Sequence, residues 1–151
     1  MLVFADMHLH SLWSRATSRQ MNLEGLSRGA KIKGLNLLGT SDFTFPAWLK
    51  ELKKKLDPIE GTGLFKYNDI YFMLTSEVAT VYEQEGKKRD IHHLIHAPSF
   101  EVVEQINERL SKFGNLESDG RPILNLNSPE LVEILMEITK DIFITSSHIW
   151  T

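Results

Sequence analysis

Six histidines in this chain of 151 residues fall in three places: His8 and His10, then His92, His93 and His96, then His148. Imidazole nitrogen beside carboxylate oxygen is a donor set for zinc, manganese or iron, with nitrogens about 2.0–2.1 Å from zinc. The stretch ADMHLHS, residues 5–11, sets Asp6, His8 and His10 two apart. On a strand such residues share one face, and a row of metal-binding side chains there is costly unless a cation sits before it. Three later apolar runs end alike: LNLLGTSD at Asp42, IYFMLTSE at Glu77 and DIFITSSH at His148. Each gives way to small residues with at least one hydroxyl, then to one candidate ligand. In barrels and open α/β sheets the functional rim lies at the carboxyl ends of parallel strands, where this sequence repeatedly places Asp, Glu or His. A carboxylate such as Glu77 can bridge two ions about 3.5–4 Å apart, a spacing used for in-line attack on phosphorus.

Plainer roles compete for the same residues. His92 and His93 are adjacent, so on a strand they face opposite ways, and one or two of His92, His93 and His96 are structural or support the ligands. Asp42 would alternatively cap the turn after its strand, and Asp6 would alternatively bond backbone beside the site. SLWSRATSRQ carries Arg15, Ser18 and Arg19, a phosphate-contacting set if a metal rim lies beside it. KELKKKL reads as a solvated helix face, and Trp13, Trp48 and Trp150 as packing residues.

The elements that must position these groups read as a single α/β unit, residues 1–151. Residues 2–10 are predicted as a strand. MNLEGLSRGAKIKGL reads as a helix capped by Asn22 and stopped by Gly34. LNLLGTSD reads as a short buried strand and FPAWLKELKKKL as a helix with Pro46 in its first turn. DIYFMLTSEVATVY and RDIHHLIHAP read as strands joined by a hairpin turn in EQEGKK, after a break at Gly61 and Gly63. Ser99 caps a third helix, with Phe100, Val103, Ile106, Leu110 and Phe113 on one stripe. Ser128 caps a fourth, with Pro129 at its first position, and DIFITSSHIW closes as a strand. About five strands are expected in all.

Bulk properties exclude several classes. The net charge of −3 argues against holding nucleic acid by charge alone, although bound cations would reverse the local sign. Cysteine is absent, so disulfides, zinc ribbons and thiol nucleophiles are excluded. Nothing approaches a run of about 18 apolar residues, and the start lacks a leader pattern. A soluble cytoplasmic protein with no membrane partner is expected.

These residues resemble the polymerase and histidinol phosphatase (PHP) superfamily. His8, His10 and Ser11 match its HxH-Ser motif, and Asp42 matches the acidic residue of its Thr-Asp-His motif, with Phe43 in the histidine's place. Glu77 matches the bridging carboxylate, His93-Leu94 a later His-Leu motif with His92 as the alternative, and His148 a strand-end histidine. Within the superfamily, HSLWSRATSRQM, KGLNLLGTSDFTFPAWLKEL, HHLIHAPSFEVVEQINERLS and GNLESDGRPIL resemble the N-terminal part of the endonuclease Q family.

The resemblance implies a PHP-type distorted (β/α) barrel, of which this chain is the N-terminal portion. It implies two divalent ions (zinc, manganese or magnesium) held by His8, His10, Glu77, His93 and His148, with His92, His96 and Asp6 as alternates. Glu77, His10 and Asp42 are the expected catalytic residues, and Arg15, Ser18 and Arg19 the expected phosphate contacts. The implied partner is double-stranded DNA containing deaminated bases or abasic sites, nicked on the lesion's 5′ side. A histidinol-phosphatase-like phosphoesterase and a non-catalytic metal-binding PHP module are the alternatives. That family continues with a cysteine-rich zinc site and a strand bearing a metal-binding Asp, both absent here. An unclosed sheet exposes strand edges, so self-association of the chain is expected too.

Overall fold

In the computed structural model, residues 2–150 are described. In chain order they form β1 (Ala5–Asp6), α1 (Leu23–Lys33), β2 (Leu37–Gly39), α2 (Pro46–Lys55), β3 (Asp57–Ile59), β4 (Leu64–Tyr67) and β5 (Ile70–Gln84). There follow β6 (Lys87–Ala97), α3 (Phe100–Leu110), β7 (Ile123–Leu124), α4 (Ser128–Ile138) and β8 (Phe143–Ser146). The architecture is mixed α/β: four helices and one eight-stranded sheet.

Local chemistry sets the helix ends. The Asn22 side chain accepts from Gly25 N–H at the start of α1, and Gly34 ends that helix at φ 71°, a conformation glycine adopts without a Cβ penalty. Ser99 accepts from Val102 N–H to open α3. At α4 the cap is Asn127, one residue before the expected Ser128. Asn127 Oδ1 accepts from Glu130 N–H at 2.9 Å while the Glu130 carboxylate accepts from Asn127 N–H at 2.8 Å. This reciprocal box outcompetes a single serine cap and leaves the Ser128 hydroxyl for another use.

Strand β5 is the spine. Over residues 71–73 it pairs in parallel with β2, while β4 lies antiparallel on its other side. From Leu74 onward it pairs antiparallel with β6, and Ala79 and Thr80 meet β7 in parallel. β1 extends the sheet beyond β2 in parallel, β3 extends it beyond β4, and β8 lies antiparallel outside β6. The core fills between sheet and helices with Leu23, Trp48, Phe72, Ile95, Ile106 and Leu131, all buried.

Several expectations are corrected here. Strand 2–10 shrinks to Ala5–Asp6, because β2 stops at Gly39 and the Met7 carbonyl lies where a Gly39 Cβ would come within 2.5 Å. Residues 7–10 therefore continue past the paired residues without joining the sheet, and His8 and His10 are not strand residues. The count of five strands rises to eight. The β3–β4 hairpin had been hidden by Pro58 and the glycines at 61 and 63, and β7 is too short to leave a periodic signal. Nor is Glu77 at a strand end. It lies inside β5, opposite Leu94, just past the point where β2 stops pairing.

Candidate metal centre

Glu77 is 1% exposed, yet it is surrounded by imidazoles rather than by apolar side chains alone. Its Oε1 lies 3.2 Å from His8 Nε2, from His92 Nδ1 and from His148 Nε2, and its Oε2 lies 3.2 Å from His10 Nε2. The rings pack on one another: His8 on His10 with centroids 5.4 Å apart, His92 on His148 at 5.0 Å, His8 on His148 at 5.9 Å.

Different parts of the chain supply these groups. His8 and His10 come from the unpaired segment that follows β1. His92 sits two residues from Leu94, the direct partner of Glu77, and so shares its face diagonally across the ladder. His148 follows β8, where Ser147 N–H donates to the His92 carbonyl at 2.9 Å and a left-handed backbone at His148, φ 33°, ends the extended run.

Behind this group stands Asp42, fully buried. Its Oδ1 lies 3.3 Å from His10 Nδ1, while Oδ2 accepts from Ser11 N–H and Ser11 Oγ, both at 2.6 Å, and from Ser14 Oγ at 2.8 Å. Ser41 and Asp42 both have positive φ, 56° and 45°. That strained turn is held by Trp48, whose indole N–H donates to the Ser41 carbonyl at 2.9 Å, and by Thr75 Oγ1, which accepts from Ser41 N–H at 2.9 Å. Gly120 closes the rear, where a Cβ would come within 2.6 Å of Asp42 Oδ2. Sequence reading missed Ser14, Trp48, Thr75 and Gly120; only the repeated TSD and TSE pattern hinted that a hydroxyl would matter.

Electrostatics follow from the crowding. Burial disfavours ionised Glu77, but the hydrogen bond from His10 and the nearby His8, His92 and His10 charges outweigh it and hold the carboxyl well below the usual range. Burial likewise works against a charged His10, but its hydrogen bonds to Asp42 and Glu77 raise it to about 9.

The residues fit a metal ion. Tetrahedral ligands at about 2.0–2.1 Å from zinc lie about 3.3–3.4 Å apart, close to the nitrogen–oxygen spacing around Glu77. Three imidazole nitrogens also crowd one oxygen, more than its two lone pairs accept comfortably. The ligand atoms divide into two sets able to hold an ion: His8, His10 and Glu77, and Glu77, His92 and His148. Glu77 belongs to both.

His93, the expected β6 ligand, does not join them. It pairs with Val78 on the opposite face, and its Nε2 lies 3.0 Å from Ser128 Oγ and 3.3 Å from Thr80 Oγ1. His96 reaches neither set and packs on Phe143, ring centroids 5.5 Å apart. Asp6 accepts from His8 N–H at 3.3 Å and supplies no atom to either set. Arg15 is exposed and paired through Nε with Asp119, 3.1 Å away. Arg19 is exposed; so is Ser18, whose hydroxyl accepts from Gln20 N–H within its own turn. A cavity of about 850 Å³ between α2 and α3 lies away from this chemistry, lined by Pro46, Leu49, Lys50, Asn107 and Leu116 and by none of the histidines. No helix among the described residues is long and apolar enough to cross a membrane.

Comparison with known proteins adds a solved likeness. The whole chain superposes on the crystal structure of a lesion-specific endonuclease, PfuEndoQ from Pyrococcus furiosus, with TM-score 0.87 and 37% identity, covering 36% of that chain. It matches equally an endonuclease Q complex with a 27-mer duplex substrate carrying an abasic lesion at the active site, TM-score 0.86 and 37% identity, again 36% of that chain. An uncharacterized protein of Methanocaldococcus jannaschii is 36% identical over 139 residues, 91% of this chain and 15% of that protein. The chain thus spans about a third of the solved chains and a smaller part of the sequence relative. No family model matches it.

Proposed function

We propose that this chain is the N-terminal portion of a PHP-type domain belonging to a metal-dependent endonuclease that nicks DNA 5′ to deaminated bases or abasic sites. The observation that carries this reading is the convergence of four imidazoles on the buried Glu77, in a chain whose solved likeness is a lesion-specific endonuclease. Residues 1–151 then form part of a distorted (β/α) barrel, with the sheet edges at β1 and β8 as its open sides.

In this proposal His8, His10 and Glu77 would hold one divalent ion, and Glu77, His92 and His148 a second; zinc, manganese and magnesium are the candidates. His92 takes the position expected of His93, because only His92 shares the Glu77 face. Such ions would supply a water nucleophile at neutral pH and polarise the phosphate. The protein's own contribution is orientation. Asp42 fixes the ring of His10 through Nδ1 and is itself fixed by Ser11 and Ser14. Arg15 and Arg19, exposed on the adjoining loop, bind backbone phosphates, and Ser18 shapes the turn between them.

A labelled duplex holding one abasic site, incubated with the protein and manganese, tests the proposal. Nicking at the lesion that disappears with Glu77→Ala supports it. Hydrolysis of histidinol phosphate without nicking would move the assignment to a small-molecule phosphoesterase. Metal binding with neither activity would leave a metal-binding module.

A further inference from the structure

Beside the metal centre two aromatic rings stack at the surface. Trp13 and Phe45 have ring centroids 4.7 Å apart and planes inclined by 20°. Trp13 remains 37% exposed, and its indole N–H has no protein partner among the described residues. The contrast with Trp48 is direct: that indole is wholly buried and donates to the Thr40 and Ser41 carbonyls, as a packing tryptophan should.

Both surface rings are tied to Asp42. Trp13 N–H donates to Ser11 Oγ at 3.2 Å, and that hydroxyl donates to Asp42 Oδ2. Phe45 N–H donates to the Asp42 carbonyl at 2.9 Å, and the Trp13 carbonyl accepts from Gly120 N–H at 3.0 Å. The backbone at Trp13 is therefore pinned from two sides. Two residues on, Arg15 is 81% exposed, and its Nε bonds the largely buried Asp119 carboxylate at 3.1 Å. So exposed a pair adds little stability. It does fix the guanidinium, whose terminal nitrogens have no protein partner among the described residues. Arg121 brings a second guanidinium close, its Nη2 donating to the Arg15 carbonyl at 3.4 Å.

We propose that Trp13 and Arg15 form a nucleotide clamp at the edge of the metal centre. The indole stacks on a base, and the guanidinium binds a phosphate of the same strand. This rests on the reading of the site as DNA-acting. The span from His10 to Trp13 is at most about 11 Å. Base and phosphate therefore belong to one short stretch of strand. Stacking accepts any base, because every base has a π-face, which suits recognition of a lesion rather than of a sequence. Asp119 acts as a positioning residue through Arg15.

Tryptophan fluorescence in a Trp150→Phe background reads the clamp, leaving Trp13 and Trp48 as emitters. Calcium replaces manganese during titration with an oligothymidylate of about twelve nucleotides and with a base-free strand of equal length. The expected result is quenching by the oligothymidylate alone. Trp13→Ser should weaken its binding about tenfold, with Trp13→Phe restoring most of the loss. Arg15→Ala should lower the slope of log K against log salt by about 0.7. Equal quenching by both strands, or full-strength binding by Trp13→Ser, would overturn the clamp. If Trp13 variants bind and nick abasic duplex like the wild type, only the clamp fails. If no form of the protein binds any DNA, the DNA-acting reading fails with it.

Discussion

His92 and His93 are consecutive residues on one strand, and they do opposite things. His92 faces Glu77 and joins one of the two ligand sets. His93, 5% exposed, faces the other way and sits between the hydroxyls of Thr80 and Ser128, tying β6 to the first turn of α4. Burial and the neighbouring His92 push its imidazole towards the neutral form. The pleat alone divides the work: on one face an imidazole joins a set able to hold a cation, on the other it joins helix to sheet.

The comparison is sharpest when the shared carboxylate is removed. Glu77→Ala takes an atom from both ligand sets, so metal affinity should fall by more than the about 100-fold typical of losing an outer hydrogen-bond partner. Calorimetric titration with zinc reads this, and unchanged affinity would dissolve the two-set description. Next come the strand neighbours. His92→Ala should weaken zinc binding at least about tenfold with little change in denaturation midpoint. His93→Ala should leave zinc affinity nearly intact and cost about 1–3 kcal/mol of stability, because Ser128 and Thr80 lose a buried partner. The reverse pattern would exchange their roles. Asp42→Asn keeps the shape but removes the charge that orients His10, and a loss of about 10-fold in affinity is expected.

The smallest effect is on pH dependence without metal. His10, raised to about 9, adds stability that is complete below pH 6.5 and lost as pH rises through about 9. His93 and His96, both lowered by burial, act oppositely: they must charge when the protein unfolds in acid, so stability falls as pH drops below 6.5. Glu77, held low by its imidazoles, adds stability above pH 4.5 that is lost in stronger acid. His93→Gln should therefore flatten the limb just below pH 6.5 in urea denaturation. Saturating zinc should reverse the alkaline decline, because protons compete with the ion for the same nitrogens.

Much of this was legible in the sequence where the signal was local. Asn22 and Gly34 bound α1, Pro46 starts α2, Ser99 caps α3, and the EQEGKK turn joins two strands as their patterns indicate. His8, His10, Glu77 and His148 come together as their clustering suggested. What escaped depends on distant partners. The choice between His92 and His93 needs the register of β6 against β5, which no local pattern carries. His8 and His10 reach Glu77 from an unpaired segment rather than a strand, and Gly39 lets the Met7 carbonyl approach where that segment begins. Trp48, Thr75 and Gly120 support Asp42 from three separate elements, and nothing beside them in sequence marks the task.

The ligand sets draw on residues 8, 10, 77, 92 and 148, nearly the full length of the chain. Only the β5–β6 hairpin, with Glu77 and His92, can form from close neighbours; His8, His10 and His148 each need a long loop to close first. Closing such loops is entropically costly, and non-local contacts form slowly. During synthesis the second ligand set stays incomplete until residue 148 has left the ribosome, so the emerging chain can present only a partial grip to cellular metal. An ion held by both sets would therefore be chosen by the folded geometry rather than by order of arrival.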